Sequence, residues 1–262
     1  IHAYSTVMVL VFANIMSFID RQIPAMLVGS IKAEFNVSDS EIALLIGFSF
    51  AATYAIMILP IGFATDRIKR KLVLGWGIFL WSLMTMAAVF VTSFKTLILA
   101  RMGVAMGETV IAPVSVSLVS DSFPENQRGM AMGIVTAGVY VGIGISLLGG
   151  GYLIDYLTTI GGLRLPLIGQ IKPWQAAFMI AGAPGLLITA AAFALREPAR
   201  LEAIDNTQKS VIGKELFLHI RDHPNTLFFL LSGLLFQAII FLSFSAWAPT
   251  MLVRTYGICW TE

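Results

Sequence analysis

Cysteine is almost missing from this 262-residue chain: Cys259 stands alone, which excludes an intrachain disulfide and any cysteine-rich metal site. Histidine is nearly as scarce. His2, His219 and His223 lie at a terminus or in polar sequence, at no spacing with carboxylates that builds a metal site, so no metal or other cofactor is expected. Charge is thin as well. Asp, Glu, Lys and Arg make up 12% of the residues, where a soluble domain carries about a quarter. The net charge of +2 is dispersed and forms no basic stripe for nucleic acid. No charged n-region followed by a small-residue cleavage site precedes the first apolar segment, so no signal peptide is expected.

What the chain has in abundance is apolar sequence, at 57% of residues and a mean hydropathy of +0.84. A helix crosses a bilayer in about 20 mainly apolar residues. The stretches that qualify are Tyr4–Gly29, Ser40–Thr65, Leu72–Ser93, Thr96–Ser120, Gly129–Asp155, Trp174–Leu195 and Thr226–Val253. They are too long, and too little alternating, for barrel strands. Their internal prolines (Pro60, Pro113, Pro184, Pro249) are tolerable, because neighbouring helices can satisfy freed backbone groups. The expected fold class is all-α, a polytopic membrane protein.

Loop charge sets an orientation. Arg67, Lys69, Arg70, Lys71, Arg128, Arg196, Arg200, Lys209, Lys214 and Arg221 all follow even-numbered spans. The opposite loops hold only Lys32, Lys95, Arg164, Lys172 and Arg254. By the positive-inside rule the first set, and the N-terminus with it, is expected in the cytoplasm. The longest polar interval divides the chain into a six-helix bundle (1–195), a cytoplasmic linker (196–225) and a seventh span (226–262). The linker is expected to carry an amphipathic helix through Val211, Leu216, Phe217 and Ile220. Ending at Glu262, where an eighth span would begin, reads as an incomplete chain.

A charge at the bilayer centre costs at least about 2.5–3.5 kcal/mol, so it persists when paired or hydrated, and usually for function. Asp20, Arg21, Arg101 and Glu108 are such charges. Arg101 and Glu108 are seven apart, which returns to nearly the same helix face about 10 Å along the axis, and Ser115 extends that stripe. Asn14, Ser17 and Arg21 form a second stripe. Together they suggest a cavity for substrate or proton coupling, since a carboxylate that changes surroundings changes its proton affinity. The competing reading is a set of static pairs holding helices together. A channel would need a continuous polar lining, and an intramembrane enzyme a nucleophile–base set or metal ligands; neither pattern is present. Tyr54, Tyr140, Phe48, Gln237 and Ser243 are further candidates for a cavity wall.

Gly62–Lys71 is a basic decapeptide wedged between two spans. It resembles the loop between the second and third helices of the major facilitator superfamily, Gly-x-x-x-Asp-Arg-x-Gly-Arg-Arg/Lys. Asp66, Arg67, Arg70 and Lys71 match, while Lys69 stands where that pattern has glycine. The resemblance implies a cytoplasmic gate in which Asp66 and Arg70 form a charge relay with Asp121, and it groups Arg67, Lys71 and Arg128 with them. Asn14-Ile-Met-Ser-Phe-Ile-Asp20-Arg21 and Arg101-Met-Gly-Val-Ala-Met-Gly107-Glu108 are similar to signatures of spinster-type transporters in that superfamily, as are Pro173-Trp174-Gln175, Pro184-Gly185 and Arg196-Glu197-Pro198. That implies a proton-coupled carrier for lysolipids or sphingoid lipids working by alternating access, monomeric, in a bacterial inner membrane and surrounded by membrane lipid. The anion:cation symporter branch, carrying organic or sugar acids, is similar in the same helices. The glycines of the fifth span (Gly133, Gly138, Gly142, Gly150) read as close helix packing more readily than as an antiporter motif, because Ser146 and Leu147 replace its central Gly-Pro.

Overall fold

Hydrocarbon offers a backbone no partners, so each N–H and C=O must be satisfied within a helix or a closed barrel. This chain takes the helical route. The computed structural model describes residues 2–166, 169–200 and 221–256. In chain order the elements are α1 (His2–Met26), α2 (Val28–Phe35), α3 (Asp39–Ala43), a π-helical turn (Leu44–Phe48), α4 (Ser49–Arg67), α5 (Arg70–Met86), a 3₁₀ turn (Ala87–Phe90), α6 (Phe94–Glu108), α7 (Ile111–Ser122) and α8 (Glu125–Thr159). A small antiparallel hairpin of β1 (Leu163–Leu165) and β2 (Gly169–Ile171) leads to α9 (Pro173–Ala194), and α10 (Pro224–Tyr256) ends the described chain. Seven segments among the described residues are long and apolar enough to cross a membrane, one on each stretch read from the sequence.

Local chemistry explains the interruptions. Pro113 lacks the N–H that would reach the Thr109 carbonyl, and the fourth span breaks there into α6 and α7. The first span stops at Met26 rather than Gly29, and α2 follows a kink at Leu27. Lys69 takes the place of a turn glycine at no conformational cost. Ile68 (φ −102°, ψ 161°) and Lys69 (φ −60°, ψ 122°) are both extended, so the tight turn requires no left-handed residue. The expected linker helix from Val211 to Ile220 lies outside the described residues, as does His219.

α1 packs along α8, α5 against α9 and α6, and α4 against α6. Two apolar cores result. One gathers Val7, Leu10, Val104, Val114 and Leu118 near the basic loops; the other gathers Ile23, Leu27, Leu97, Trp174 and Phe178 at the far end. On α1 the interval between them is Asn14–Asp20, so the buried charges occupy a polar layer between two apolar ones.

The α1–α8 seam depends on small residues. A Cβ on Gly142 would lie 2.6 Å from the Ile15 carbonyl, and one on Gly138 2.8 Å from that of Val11; Gly150 meets Met26. Gly133 departs from the expectation of packing: nothing lies within 4 Å of its Cβ position. It lies on the opposite face of α8: Ala131 and Val135, on either side of it, are buried toward α1 while Gly133 itself is exposed. Gly142→Ala should therefore force α1 and α8 apart and cost about 1–3 kcal/mol, whereas Gly133→Ala should be neutral; thermal unfolding of the two variants in detergent checks this contrast.

Candidate functional site

Asp20 and Arg21 are neighbours on α1, about 100° apart around the axis, so they serve different partners. Asp20 turns toward α5 and α6, where Oδ2 accepts the Thr85 hydroxyl at 2.9 Å and lies 3.6 Å from Arg101 Nη1. Arg21 leans back toward the start of its helix, as long helical side chains do, and its Nε donates to Glu108 Oε2 at 2.6 Å. Ser17 donates to the same oxygen at 2.8 Å. Two crossed ion pairs thus join α1 to α6, each helix supplying one acid and one base. The seven-residue spacing of Arg101 and Glu108 reflects this: they share a face without pairing with each other.

The site is dry. The side chains of Asp20, Arg101 and Glu108 are 3%, 3% and 0% exposed, against 26% for Arg21. Even so, Asp20 Oδ1, Glu108 Oε1 and Arg101 Nε and Nη1 have no hydrogen-bond partner among the described residues. An unsatisfied buried polar group costs about 1–3 kcal/mol and more when charged. A cavity of about 630 Å³ adjoins the pairs, lined by both arginines, by Phe18, Phe48, Phe50 and Tyr54, and by Phe241 of α10.

Other expected members are placed differently. Asn14 is buried, but its amide donates to the Leu10 carbonyl one turn back, and its Cβ faces α8. Ser115 is buried without a partner for its hydroxyl among the described residues. Tyr140 is exposed, and so are Gln237 and Ser243, none of which lines the cavity. Thr85, Phe18 and Phe50 are members that sequence reasoning missed. A threonine and two phenylalanines in apolar helices carry no local signal of a polar neighbour.

A second charged cluster sits at the basic end. Arg70, fully buried, donates Nε to Glu197 at 2.9 Å, Nη2 to the Pro198 carbonyl at 2.9 Å, and Nη1 to Ser117 Oγ at 3.0 Å and to Asp121. Glu197 also accepts the Arg70 and Lys71 amides, both at 3.0 Å, capping the start of α5 with a carboxylate where the helix dipole favours one. Lys71 Nζ reaches the Leu195 carbonyl at 3.1 Å. Arg200 donates to the Thr65 and Ile68 carbonyls at 2.8 Å and to that of Asp66. Of the expected Asp66–Arg70–Asp121 relay, Arg70 and Asp121 meet; Glu197 also sits beside Arg70, and Asp66 contributes its main-chain carbonyl to Arg200. Arg67 is exposed, and Arg128 donates to the Phe123 carbonyl next to its own helix start rather than joining the cluster. Burial pushes the Glu197 carboxyl up, but the hydrogen bonds from the Arg70 side chain and from the Lys71 and Arg70 amides outweigh it and hold the group below its usual value.

At the far end Asp39 accepts Lys32 Nζ at 2.7 Å and Arg254 Nη2 at 3.0 Å, tying the second span to α10.

Residues 10–260 match the Major Facilitator Superfamily. The chain belongs to that superfamily. As a member it is an integral, multi-pass membrane protein, and within the superfamily it is spinster-like. It is 27% identical to an MFS-type efflux pump of Mycolicibacterium smegmatis over 98% of this chain and 56% of the relative. It is 27% identical to protein spinster homolog 1 of Homo sapiens over 95% of this chain and 46% of the relative. A crystal structure of a bacterial homologue of the human lysosomal transporter spinster, inward-facing and unoccupied, superposes with a TM-score of 0.82 at 29% identity, covering all of this chain and 57% of that one. The chain spans about half the length of the relatives it matches.

Removing the cation that Asp121 and Glu197 share, as in Arg70→Met, should cost about 3–5 kcal/mol in thermal unfolding. Glu197 also has a pH signature. Its carboxyl is held low in the fold, so its contribution is complete above the unfolded carboxylate range, near pH 4, and disappears as pH falls through the folded value. Melting curves recorded from about pH 7 to about pH 3 should show this acid-side loss in wild type and not in Glu197→Gln.

Proposed function

We propose that this chain is the first half and seventh helix of a secondary transporter that works by alternating access and carries an amphiphile with an anionic head group, coupled to protons. The observation that carries the reading is Arg101: buried, with no hydrogen bond to Nε or Nη1 among the described residues and only the 3.6 Å approach of Asp20 to Nη1, beside a cavity whose other walls are mostly aromatic and aliphatic. An anion would complete its hydrogen bonding, and the apolar walls would take a tail. A sphingosine-1-phosphate transporter of Danio rerio, 30% identical over 52% of this chain, is a relative whose cargo has that chemistry.

Proton coupling follows from the crossed pairs. Asp20 and Glu108 each keep one oxygen without a hydrogen bond, so either can take a proton when its arginine turns to cargo, and give it back when the arginine returns. On this reading the basic loops and the N-terminus face the cytoplasm, in a cell membrane such as the bacterial inner membrane. Residues 1–195 then form one bundle of two inverted three-helix repeats, and α10 opens the second bundle beyond the linker. The Arg70–Asp121–Glu197 cluster, with Lys71, stands where an inner gate closes, and Asp39–Arg254 where the outer one does. The unit is monomeric.

A second reading, a sugar-acid:proton symporter, is supported by a probable L-galactonate transporter of Escherichia coli, 32% identical over 54% of this chain. Flux into proteoliposomes built from the whole transporter separates the two. Labelled lysophosphatidic acid should exchange saturably and respond to an imposed pH gradient, and galactonate should not. Asp20→Asn and Glu108→Gln should lose that gradient response, with gradient-driven flux down by about tenfold or more, the equivalent of about 1.4 kcal/mol. Wild-type flux indifferent to the gradient would remove the proton from the mechanism.

A further inference from the structure

Arg21 is held by more than its ion pair. Its guanidinium carbon lies 4.6 Å from the centre of the Phe18 ring, 4.9 Å from Phe50 and 5.7 Å from Tyr54. Below it, Glu108 is wholly buried and accepts both Arg21 and Ser17 on one oxygen. The other intramembrane cation is housed differently. Arg101 faces a single ring, Phe50 at 5.5 Å, and stands 3.6 Å from its carboxylate.

Three aromatic rings around a cation, closed on one side by a buried carboxylate, is the chemistry by which proteins recognise quaternary ammonium and guanidinium ligands. An ion pair to Glu108 would by itself place Arg21, so the rings go beyond what the pair requires. Their arrangement is also built by the backbone. Phe50 and Tyr54 are four apart on α4, hence on one face. They follow directly on the π-helical turn Leu44–Phe48, whose extra residue per turn shifts the register of what comes after it. Phe18 comes from α1, three residues before Arg21.

We infer that Phe18, Phe50, Tyr54 and Glu108 form an organic-cation site, and that the protein's own Arg21 is its resident occupant. While Arg21 is seated, the carboxylate is neutralised and the rings are covered, so a cationic head group finds no place in the cavity. Nε and Nη1 of Arg101, which have no hydrogen bond among the described residues, can donate to an anion and offer a cation nothing. Arg21 is in this sense the residue that sets the charge selectivity of the cavity. Taking it away leaves an uncompensated carboxylate under a vacated aromatic box, which reverses that selectivity. The inference rests on the proposed function only in treating the cavity as the cargo site, and its test uses equilibrium binding without transport.

The test titrates the purified full chain with tetramethylammonium, with sodium at equal ionic strength as control, and reads the thermal midpoint and calorimetric heat. Wild type should show no saturable response. Arg21→Ala should bind tetramethylammonium saturably and melt at a higher temperature with it. Adding Phe50→Leu to that variant should weaken binding by about tenfold, within the range of a desolvated cation–aromatic contact. Arg21→Gln provides the same readings should the alanine variant not fold. Three results would overturn the inference: wild type binding as well as the variants, no binding by either Arg21 variant, or binding indifferent to Phe50. Loss of gradient-driven flux without any change in these titrations would count against the transport reading and leave this one standing.

Discussion

Two helices that each carry an acid and a base through the middle of a membrane can satisfy them only by facing each other. That constraint organises this structure. Asp20 meets Arg101, Arg21 meets Glu108, and the crossed arrangement fixes the rotation of α1 and α6 about their axes as well as their relative height. Turning either helix by a quarter turn would leave four charges in hydrocarbon. The two apolar cores lie on either side of this layer, and α5 joins it through Thr85.

The layer is not fully satisfied, and the deficit is asymmetric. The unpartnered atoms belong to Asp20, Glu108 and Arg101, whereas Arg21 is enclosed by rings. A cluster built only for stability would have closed its hydrogen bonds, as the one at the basic end has done around Arg70, where every nitrogen of the guanidinium donates. The contrast separates two kinds of buried arginine. Arg70 locks the start of α5 to the exit of α9, which makes residues 195–200 a strap across the bundle's basic end. Arg101 keeps two nitrogens without a hydrogen bond among the described residues, in a side chain that lines a cavity. Gly138 and Gly142 let α1 pack closely on α8.

Much of this was legible in the chain. The span positions followed from apolar run lengths, and the four intramembrane charges from their cost in hydrocarbon. Gly62–Lys71 announced a loop at a membrane surface. What went astray has a common cause. Asp66 was assigned to the relay because it sits in the matching decapeptide; Arg70 meets Asp121 as that relay has it, and its second carboxylate is Glu197, 127 residues away. Gly133 was grouped with Gly138 and Gly142 by proximity in sequence, but it points to the opposite face of α8. Asn14 lies on the same stripe as Ser17 and hydrogen-bonds its own helix instead.

Sequence alone determined that the chain is a bundle of membrane-crossing helices with ionised groups at mid-depth, because composition and run length obey the transfer energetics of single residues. Which acid meets which base, which rings enclose a guanidinium and which carboxylate caps α5 were decided only by tertiary structure. Those are choices between partners far apart in the chain, and a helix face carries no record of what will be packed against it.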